Sequence, residues 1–90
     1  MRRRYIITPH ATTQMRRRGL DESTIRAILA APEQRLLVRP GRAVLQSLRR
    51  MGPERTMYLV RVFVDFDRRP PEAVTAYRTS QVARYWRPAS

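Results

Sequence analysis

The sequence has no lysine and no cysteine, and only three of its 90 residues are glycine. The absence of cysteine excludes disulfides, thiolate metal ligands and a cysteine nucleophile, and it fits a reducing cytoplasm. With so few glycines, a loop that cradles a nucleotide phosphate is not expected. The apolar run after the basic start covers only residues 5–7, whereas a signal peptide has roughly 7–15 apolar residues and a membrane span about 20. The sequence therefore predicts a cytoplasmic protein without a membrane segment.

Positive charge is what the chain has in excess. All nineteen basic residues are arginine, only seven residues are acidic, and the formal net charge is +12. The arginine side chain is a planar, permanently charged fork that pairs with phosphate at two points. A codon bias toward arginine would account for the missing lysine but not for the excess of charge. The composition therefore favours a polyanionic partner, with nucleic acid as the first choice. An acidic protein partner and a simple contribution to solubility are the alternatives.

The chain length predicts one domain over residues 1–90, with residues 1–4 as a basic N-terminal arm. A first helix is predicted over residues 9–18, because Thr8 is a good N-cap and the following proline suits the first helical position. The helix is expected to end at Gly19, which suits the position after a helix C-terminus.

The rest of the chain changes from helical to alternating periodicity at Pro32. Before it, Asp21 is expected to cap a second helix over residues 22–31. After it, alternation and turn residues predict strands. The predicted strands cover residues 5–8, 34–39, 42–50, 57–66 and 72–80.

This order predicts an α+β fold with a short N-terminal strand, two helices and a four-stranded antiparallel sheet. Both helices are expected on one sheet face, which leaves the other face available. Val74 and Ala76 are predicted to point inward on the last strand. If Asp65 pairs with Ala73, the register continues as Phe63 with Thr75 and Arg61 with Tyr77.

A candidate site follows from that register. Arg61, Thr75, Tyr77 and Thr79 would crowd one exposed sheet face, where a guanidinium, a phenol and two hydroxyls could hold a phosphate. Ordinary cross-strand packing is the alternative interpretation, because tyrosine and threonine favour strands.

The first helix adds the only histidine, His10. Histidine is suited to moving protons near neutral pH, and the positive end of a helix favours its neutral, basic form. Arg17 and Arg18 follow about two turns later on adjacent helix faces, where they could hold a phosphate nearby. The alternatives are a surface histidine and a solvated helix end.

Two short motifs carry a resemblance to a known family. Residues 7–11 (Ile-Thr-Pro-His-Ala), 14–15 (Gln-Met) and 18–20 (Arg-Gly-Leu) resemble its opening pattern H-A-x-x-x-M-x-x-R-G-I, and residues 74–80 (Val-Thr-Ala-Tyr-Arg-Thr-Ser) resemble its closing strand. The family comprises small bacterial and phage domains of unknown function, grouped with the RelE and BrnT toxins in the barnase–EndoU–colicin–RelE superfold. The resemblance extends from about residue 5 to residue 86.

The resemblance implies a RelE-like fold and a metal-independent ribonuclease, often a toxin paired with an acidic antitoxin, that needs no cofactor or metal. In such enzymes the RNA 2′-hydroxyl attacks the adjacent phosphate. We expect His10 to act as base or acid and Tyr77 to supply the second proton or a stacking surface. Arg18, together with Arg61 from the strand register, would clamp the phosphate, and Thr79 would position a phosphate oxygen. The residues expected to bind nucleic acid without taking part in the reaction are Arg3, Arg4, Arg17, Thr75, Arg78 and Arg84.

The chain departs from the family at two positions. Gln81 replaces a lysine, and Arg17 stands where an acid is common. Both changes favour phosphate binding over catalysis. Three hypotheses therefore stay open: a toxin-like ribonuclease with an acidic partner, a non-catalytic nucleic-acid-binding module, and a host-modulating protein that uses the sheet face for protein contacts.

Overall fold

The alternating second half of the chain forms a five-stranded sheet in the computed structural model, which describes residues 4–88. The fold is α+β, and the strand order across the sheet is β1-β5-β4-β3-β2. Arg3, predicted to contact nucleic acid, and most of the predicted arm lie outside the described residues. The elements are β1 (Ile6–Ile7), α1 (Pro9–Arg17), α2 (Glu22–Ala30), β2 (Gln34–Arg39), β3 (Arg42–Met51), β4 (Thr56–Asp65), β5 (Glu72–Thr79) and α3 (Val82–Tyr85).

The capping residues place the first two helices as predicted, to within one residue. The Thr8 hydroxyl accepts a hydrogen bond from the backbone N–H of Ala11 at 3.1 Å, and the Asp21 carboxylate accepts one from Thr24 at 2.8 Å. These bonds satisfy backbone donors that a helix start leaves open. Gly19 follows α1 with a φ of +70°, a conformation that glycine adopts without the steric penalty of a Cβ atom.

Both helices pack on one face of the sheet, as expected. β3, β4 and β5 alternate inward and outward, so one face of each strand meets the apolar stripes of α1 and α2. On β4 the inward residues Val60, Val62 and Val64 are fully buried. The core consists of Met15, Leu20, Ile25, Ile28, Leu29, Leu45, Val60, Val62, Val64, Ala73 and Ala76.

The sheet is mixed, which corrects the prediction of four antiparallel strands. β1 joins its edge parallel to β5, with Ile7 opposite Ala73. The backbone N–H of Ile6 donates to Pro71 at 2.9 Å, and that of Thr8 donates to Ala73 at 3.1 Å. The N-terminal strand thus satisfies backbone groups at the start of β5 that would otherwise form a free sheet edge.

The register between β4 and β5 agrees with the prediction at the site and differs at its end. Arg61 is opposite Tyr77 and Phe63 is opposite Thr75, but Asp65 is opposite Glu72. The difference arises from a bulge in which Val64 pairs with Ala73 and Val74 is the extra residue. Ala73 is therefore buried in the core and Val74 only half-buried, the reverse of the prediction for these two residues.

The second sheet face is only partly open, which corrects the expectation that it is available. Val44, Gln46 and Leu59 alternate with the core residues of β3 and β4, yet each is at most 1% exposed. The backbone carbonyl of Tyr85 accepts a hydrogen bond from Gln46, so the segment with α3 lies over the middle of this face. α3 was not predicted, because four residues are too few to show a helical period.

We expect Ile28→Ala to lower the free energy of unfolding by about 2–5 kcal/mol, because it leaves a cavity at a fully buried core position. Urea unfolding followed by circular dichroism measures the change. Leu37→Ala, in edge strand β2 at a residue that is 71% exposed, is the matched control and should change stability by no more than about 0.5 kcal/mol. Equal losses in the two variants would contradict this placement of the core.

Acid stability should depend on Asp65. The hydrogen bonds from Arg42, at 2.6 and 3.0 Å, hold the pKa of the Asp65 carboxyl below its usual value. Burial opposes this lowering with a smaller effect, and the Arg42 charge adds a still smaller lowering. A lowered folded-state pKa stabilises the protein above the unfolded-state value, about 3.9, and this contribution is lost as the pH falls below it. Asp65→Asn should therefore destabilise the protein at pH 7.

The difference in stability between wild type and Asp65→Asn should shrink as the pH falls below about 4. Urea unfolding at a series of pH values measures it. Glu54→Gln, at an exposed turn residue, provides the control and should follow the wild type. A difference between wild type and Asp65→Asn that stays constant down to pH 2 would contradict the role of the Arg42–Asp65 pair.

Candidate nucleic-acid interface

The centre of the second sheet face is the Arg61 guanidinium. Its Nε donates a hydrogen bond to Gln46 at 2.8 Å, and its Nη1 donates one to the Tyr77 hydroxyl at 2.7 Å. The guanidinium carbon lies 5.5 Å from the ring centroid of Phe63 and 4.5 Å from that of Tyr85. Two of the five N–H donors of arginine are thus used. The guanidinium is fixed in orientation and keeps three donors for an anion.

Gln46 fixes Arg61 from a fully buried position on β3. Its Oε1 accepts from Arg61, while its Nε2 donates to Gln34 at 2.8 Å and to the backbone carbonyl of Tyr85 at 3.2 Å. All polar atoms of the amide therefore have partners, as a buried polar group requires. Gln46 is not among the residues predicted for the site, although a glutamine in the apolar run of residues 43–48 was the signal that could have revealed it.

α1 lies along the edge of β5 that β1 leaves free. Gln14 accepts a hydrogen bond from the Thr75 hydroxyl. Arg18 donates from Nη1 to the backbone carbonyl of Ala76 at 2.7 Å. His10 is exposed and stands one helical turn before Gln14, on the same side of the helix. The Gln14–Thr75 contact therefore brings the helix side that carries His10 to the edge of the strand that carries Tyr77.

Two predicted site residues have other roles in the structure. The Thr79 hydroxyl accepts a hydrogen bond from the backbone N–H of Gln81 at 3.0 Å and so shapes the turn into α3. Arg78 alternates with Tyr77 along β5 and points to the opposite sheet face, where its guanidinium lies 4.6 Å from the Tyr58 ring centroid. We call the group formed by Arg61, Phe63, Tyr77 and Tyr85 the Arg61 surface. Arg78 is separated from it by the sheet itself.

The remaining described residues that were predicted to contact nucleic acid through their guanidinium groups are Arg4, Arg17 and Arg84. Arg17 is exposed on the last turn of α1. Arg84 lies in α3 with its guanidinium carbon 5.4 Å from the Tyr85 ring centroid, beside the Arg61 surface. Arg4 is exposed ahead of β1. Arg17 and Arg84 can therefore add to the positive potential of this face.

Most of the positive charge has no acidic partner. Within residues 4–88 only two ion pairs form, Arg26 with Glu22 and Arg42 with Asp65. The same part of the chain contains no group of three or more acidic or histidine residues that could hold a metal ion. None of its helices is long and apolar enough to cross a membrane.

Comparison of the chain with protein-family models, curated proteins and solved structures finds no match. The resemblance to the RelE-like family therefore stays a prediction that rests on the two sequence motifs.

We expect Gln46→Leu to lower the free energy of unfolding by about 1–3 kcal/mol, since it leaves the Arg61 Nε without its acceptor and removes one of the two donors to the Gln34 side-chain oxygen. It should also loosen the segment around Tyr85. Trp86, the only tryptophan, follows directly and reports on that segment by fluorescence. In Gln46→Leu, the tryptophan emission should shift at a lower urea concentration than the circular dichroism signal.

Gln81→Leu is the control for this experiment, because Gln81 is exposed at the start of the same segment. Its two transitions should coincide, as in the wild type. Coincident transitions in Gln46→Leu would show that the buried amide does not hold the C-terminal segment.

Proposed function

We propose that this protein binds RNA and cleaves it without a metal ion, by attack of the 2′-hydroxyl on the adjacent phosphate. The observation that carries the proposal is the Arg61–Tyr77 pair, a fixed guanidinium bonded to a phenol at 2.7 Å. It lies on a half-buried face of a protein with a net charge of +12. Arginine donors with no acidic partner are a recurrent means of binding phosphate.

The charge distribution supports the binding step. Nineteen arginines oppose seven acidic residues, and the two ion pairs within residues 4–88 leave most guanidinium groups facing water. Such a surface attracts RNA from a distance and holds its phosphates by electrostatic contacts. Arg84, which shares the Tyr85 ring with Arg61, and Arg17, one helical turn after Gln14 on α1, would contact the phosphates that flank the bound nucleotide.

The Tyr77 hydroxyl has the hydrogen bonding that a proton donor needs. It accepts from Arg61, so its own proton is free to pass to another oxygen. In the proposed reaction His10 takes the proton of the 2′-hydroxyl, the 2′-oxygen bonds to phosphorus, and the bond from phosphorus to the 5′-oxygen breaks. Tyr77 gives its proton to that 5′-oxygen. The products are a 2′,3′-cyclic phosphate and a 5′-hydroxyl. The remaining N–H donors of Arg61 would stabilise the negative charge that develops on the phosphate oxygens during the reaction.

A second candidate function is RNA binding without cleavage. The observation that favours it is that Arg18 and Arg61 already donate to protein acceptors, Ala76 and Gln46. Both contacts fix the arginines as structural groups and leave only part of each for a phosphate. The same positive surface suits an acidic, antitoxin-like protein, which we propose as a partner that competes with RNA.

The test is incubation of the protein with single-stranded RNA in EDTA. We expect products that end in 2′,3′-cyclic phosphate. His10→Ala and Tyr77→Phe should each slow cleavage by about 10²–10⁴-fold, the usual contribution of a general acid or base. Product ends are identified by mass spectrometry, and RNA affinity is measured on the same samples by fluorescence anisotropy.

Arg17→Gln and Arg39→Gln form a charge-matched pair for the binding step. Arg17 is on α1 beside the proposed interface, whereas Arg39 is on β2 at the opposite edge of the sheet. Only Arg17→Gln should weaken RNA binding and reduce its dependence on salt. Intact RNA that is bound with this pattern would replace the ribonuclease with the binding module, and equal effects of the two substitutions would place the interface elsewhere.

A further inference from the structure

The chain covers the Arg61 surface with its own C-terminal segment. We call residues 81–88 the C-terminal strap. Its attachment to the sheet consists mainly of hydrogen bonds from two glutamines to its backbone. Gln46 donates to the carbonyl of Tyr85 at 3.2 Å, and Gln34 accepts from the N–H of Arg87 at 3.1 Å while donating to the carbonyl of the same residue. The strap is therefore held at two residues by side chains that belong to β2 and β3.

Within the strap, the Tyr85 ring lies close to both Arg61 and Tyr77. Its centroid lies 4.5 Å from the Arg61 guanidinium carbon and 6.4 Å from the Tyr77 ring, which it meets edge-on at 79°. Beside it, the Phe63 and Tyr77 rings are nearly parallel, with an interplanar angle of 20° and centroids 6.1 Å apart. A flat ring thus lies on a fixed guanidinium next to two further aromatic rings.

This arrangement is the one that proteins use to bind the bases of single-stranded RNA. An unstacked base is held between aromatic rings and arginine planes, and every base has a face that can stack in this way. The cation–π attraction that Arg61 exerts on a phenol ring applies equally to a nucleobase. Tyr85 therefore occupies space with the chemistry of a nucleobase site.

We infer that Arg61, Phe63 and Tyr77 form a subsite for one unstacked RNA base, and that Tyr85 fills this subsite in the free protein. The inference rests on the proposed function, because it takes RNA as the ligand. A base enters as the strap lifts and Tyr85 leaves. Gln46 holds Arg61 through its Oε1 and the strap through its Nε2, so the guanidinium keeps its bond to Oε1 when the strap leaves.

The substrate class follows from the shape of the subsite. Bases of an A-form duplex are stacked and paired, so they cannot replace the Tyr85 ring. The subsite therefore selects single-stranded RNA. The strap also lowers the apparent affinity, because RNA binds only the open fraction of molecules: a strap that is open in about a tenth of them weakens binding about tenfold.

The chain offers a direct test, because it contains no cysteine. The double variant Gln34→Cys, Arg87→Cys carries two thiols where the strap meets β2. Oxidation fixes the strap with a disulfide, which mass spectrometry verifies, and reduction frees it in the same protein at the same charge. We expect the oxidised form to bind a fluorescein-labelled oligouridylate at least tenfold more weakly than the reduced form. Binding of duplex RNA through surface arginines should be the same in both forms.

A second pair of variants tests the ring without a crosslink. Tyr85→Ala removes the ring that fills the subsite and should raise the affinity for the oligouridylate severalfold. Tyr85→Phe keeps the ring and should bind as the wild type does. This pair decides the question should the two thiols fail to join.

The outcomes separate the inference from the proposed function. An oligouridylate bound equally by the oxidised and reduced forms, or a Tyr85→Ala variant that binds no more tightly than Tyr85→Phe, overturns the base subsite while RNA binding stands. Absence of RNA binding in the wild type and in every variant overturns the proposed function itself.

Discussion

The buried Gln46 side chain is the contact on which the second sheet face depends. A primary amide in an apolar interior is costly unless each of its polar atoms has a partner. Here the amide bonds to Arg61 on the neighbouring strand β4, to Gln34 on the neighbouring strand β2, and to the backbone of Tyr85. One fully buried group thus sets the orientation of the guanidinium and the position of the C-terminal strap. Both the orientation of Arg61 and the attachment of the C-terminal strap therefore depend on Gln46.

Among the described residues, several guanidinium groups lie against aromatic rings, which helps a chain so rich in arginine to fold. Arg35 lies 4.8 Å from the Phe66 ring centroid and Arg78 lies 4.6 Å from that of Tyr58. An arginine on a ring keeps its charged edge in water while its flat face and stem cover apolar surface. Lysine, a compact and strongly hydrated charge, cannot pack in this way. The same side chains therefore complete a thin core and provide a surface that attracts polyanions.

Much of the fold could be predicted from local sequence signals, namely helix-capping residues and the alternation of apolar residues in strands. Thr8 and Asp21 identify the helix starts, and the alternation around Val62 identifies the core face of β4. The bulge at Val74 has no such signal, because β-branched residues are common in regular strands. The bulge arises from the pairing of Val64 with Ala73, which leaves Val74 as an extra residue. The parallel pairing of β1 with β5 could not be predicted from the sequence either, because it joins residues that are far apart in the chain.

The candidate site was predictable to the same degree. The Arg61–Tyr77 pair followed from strand alternation and a short connection between β4 and β5. Its partners did not follow, because Gln46, Gln34 and Tyr85 come from three separate parts of the chain and no periodicity links them. Thr79 and Arg78 show the limit of motif reasoning. A motif names residues along a strand, whereas the turn after Thr79 and the opposite face at Arg78 decide what each side chain contacts.

The parallel pairing of Ile7 with Ala73 has a consequence for the order in which the molecule forms. β1 and α1 are synthesised well before β5, the strand they pack against. Contacts between residues so distant in sequence form slowly, because a long loop must close before they gain stability. A nascent chain that lacks β5 has neither the edge that β1 pairs with nor Tyr77. The edge of the sheet and the surface around Arg61 therefore form only after β5 has been synthesised.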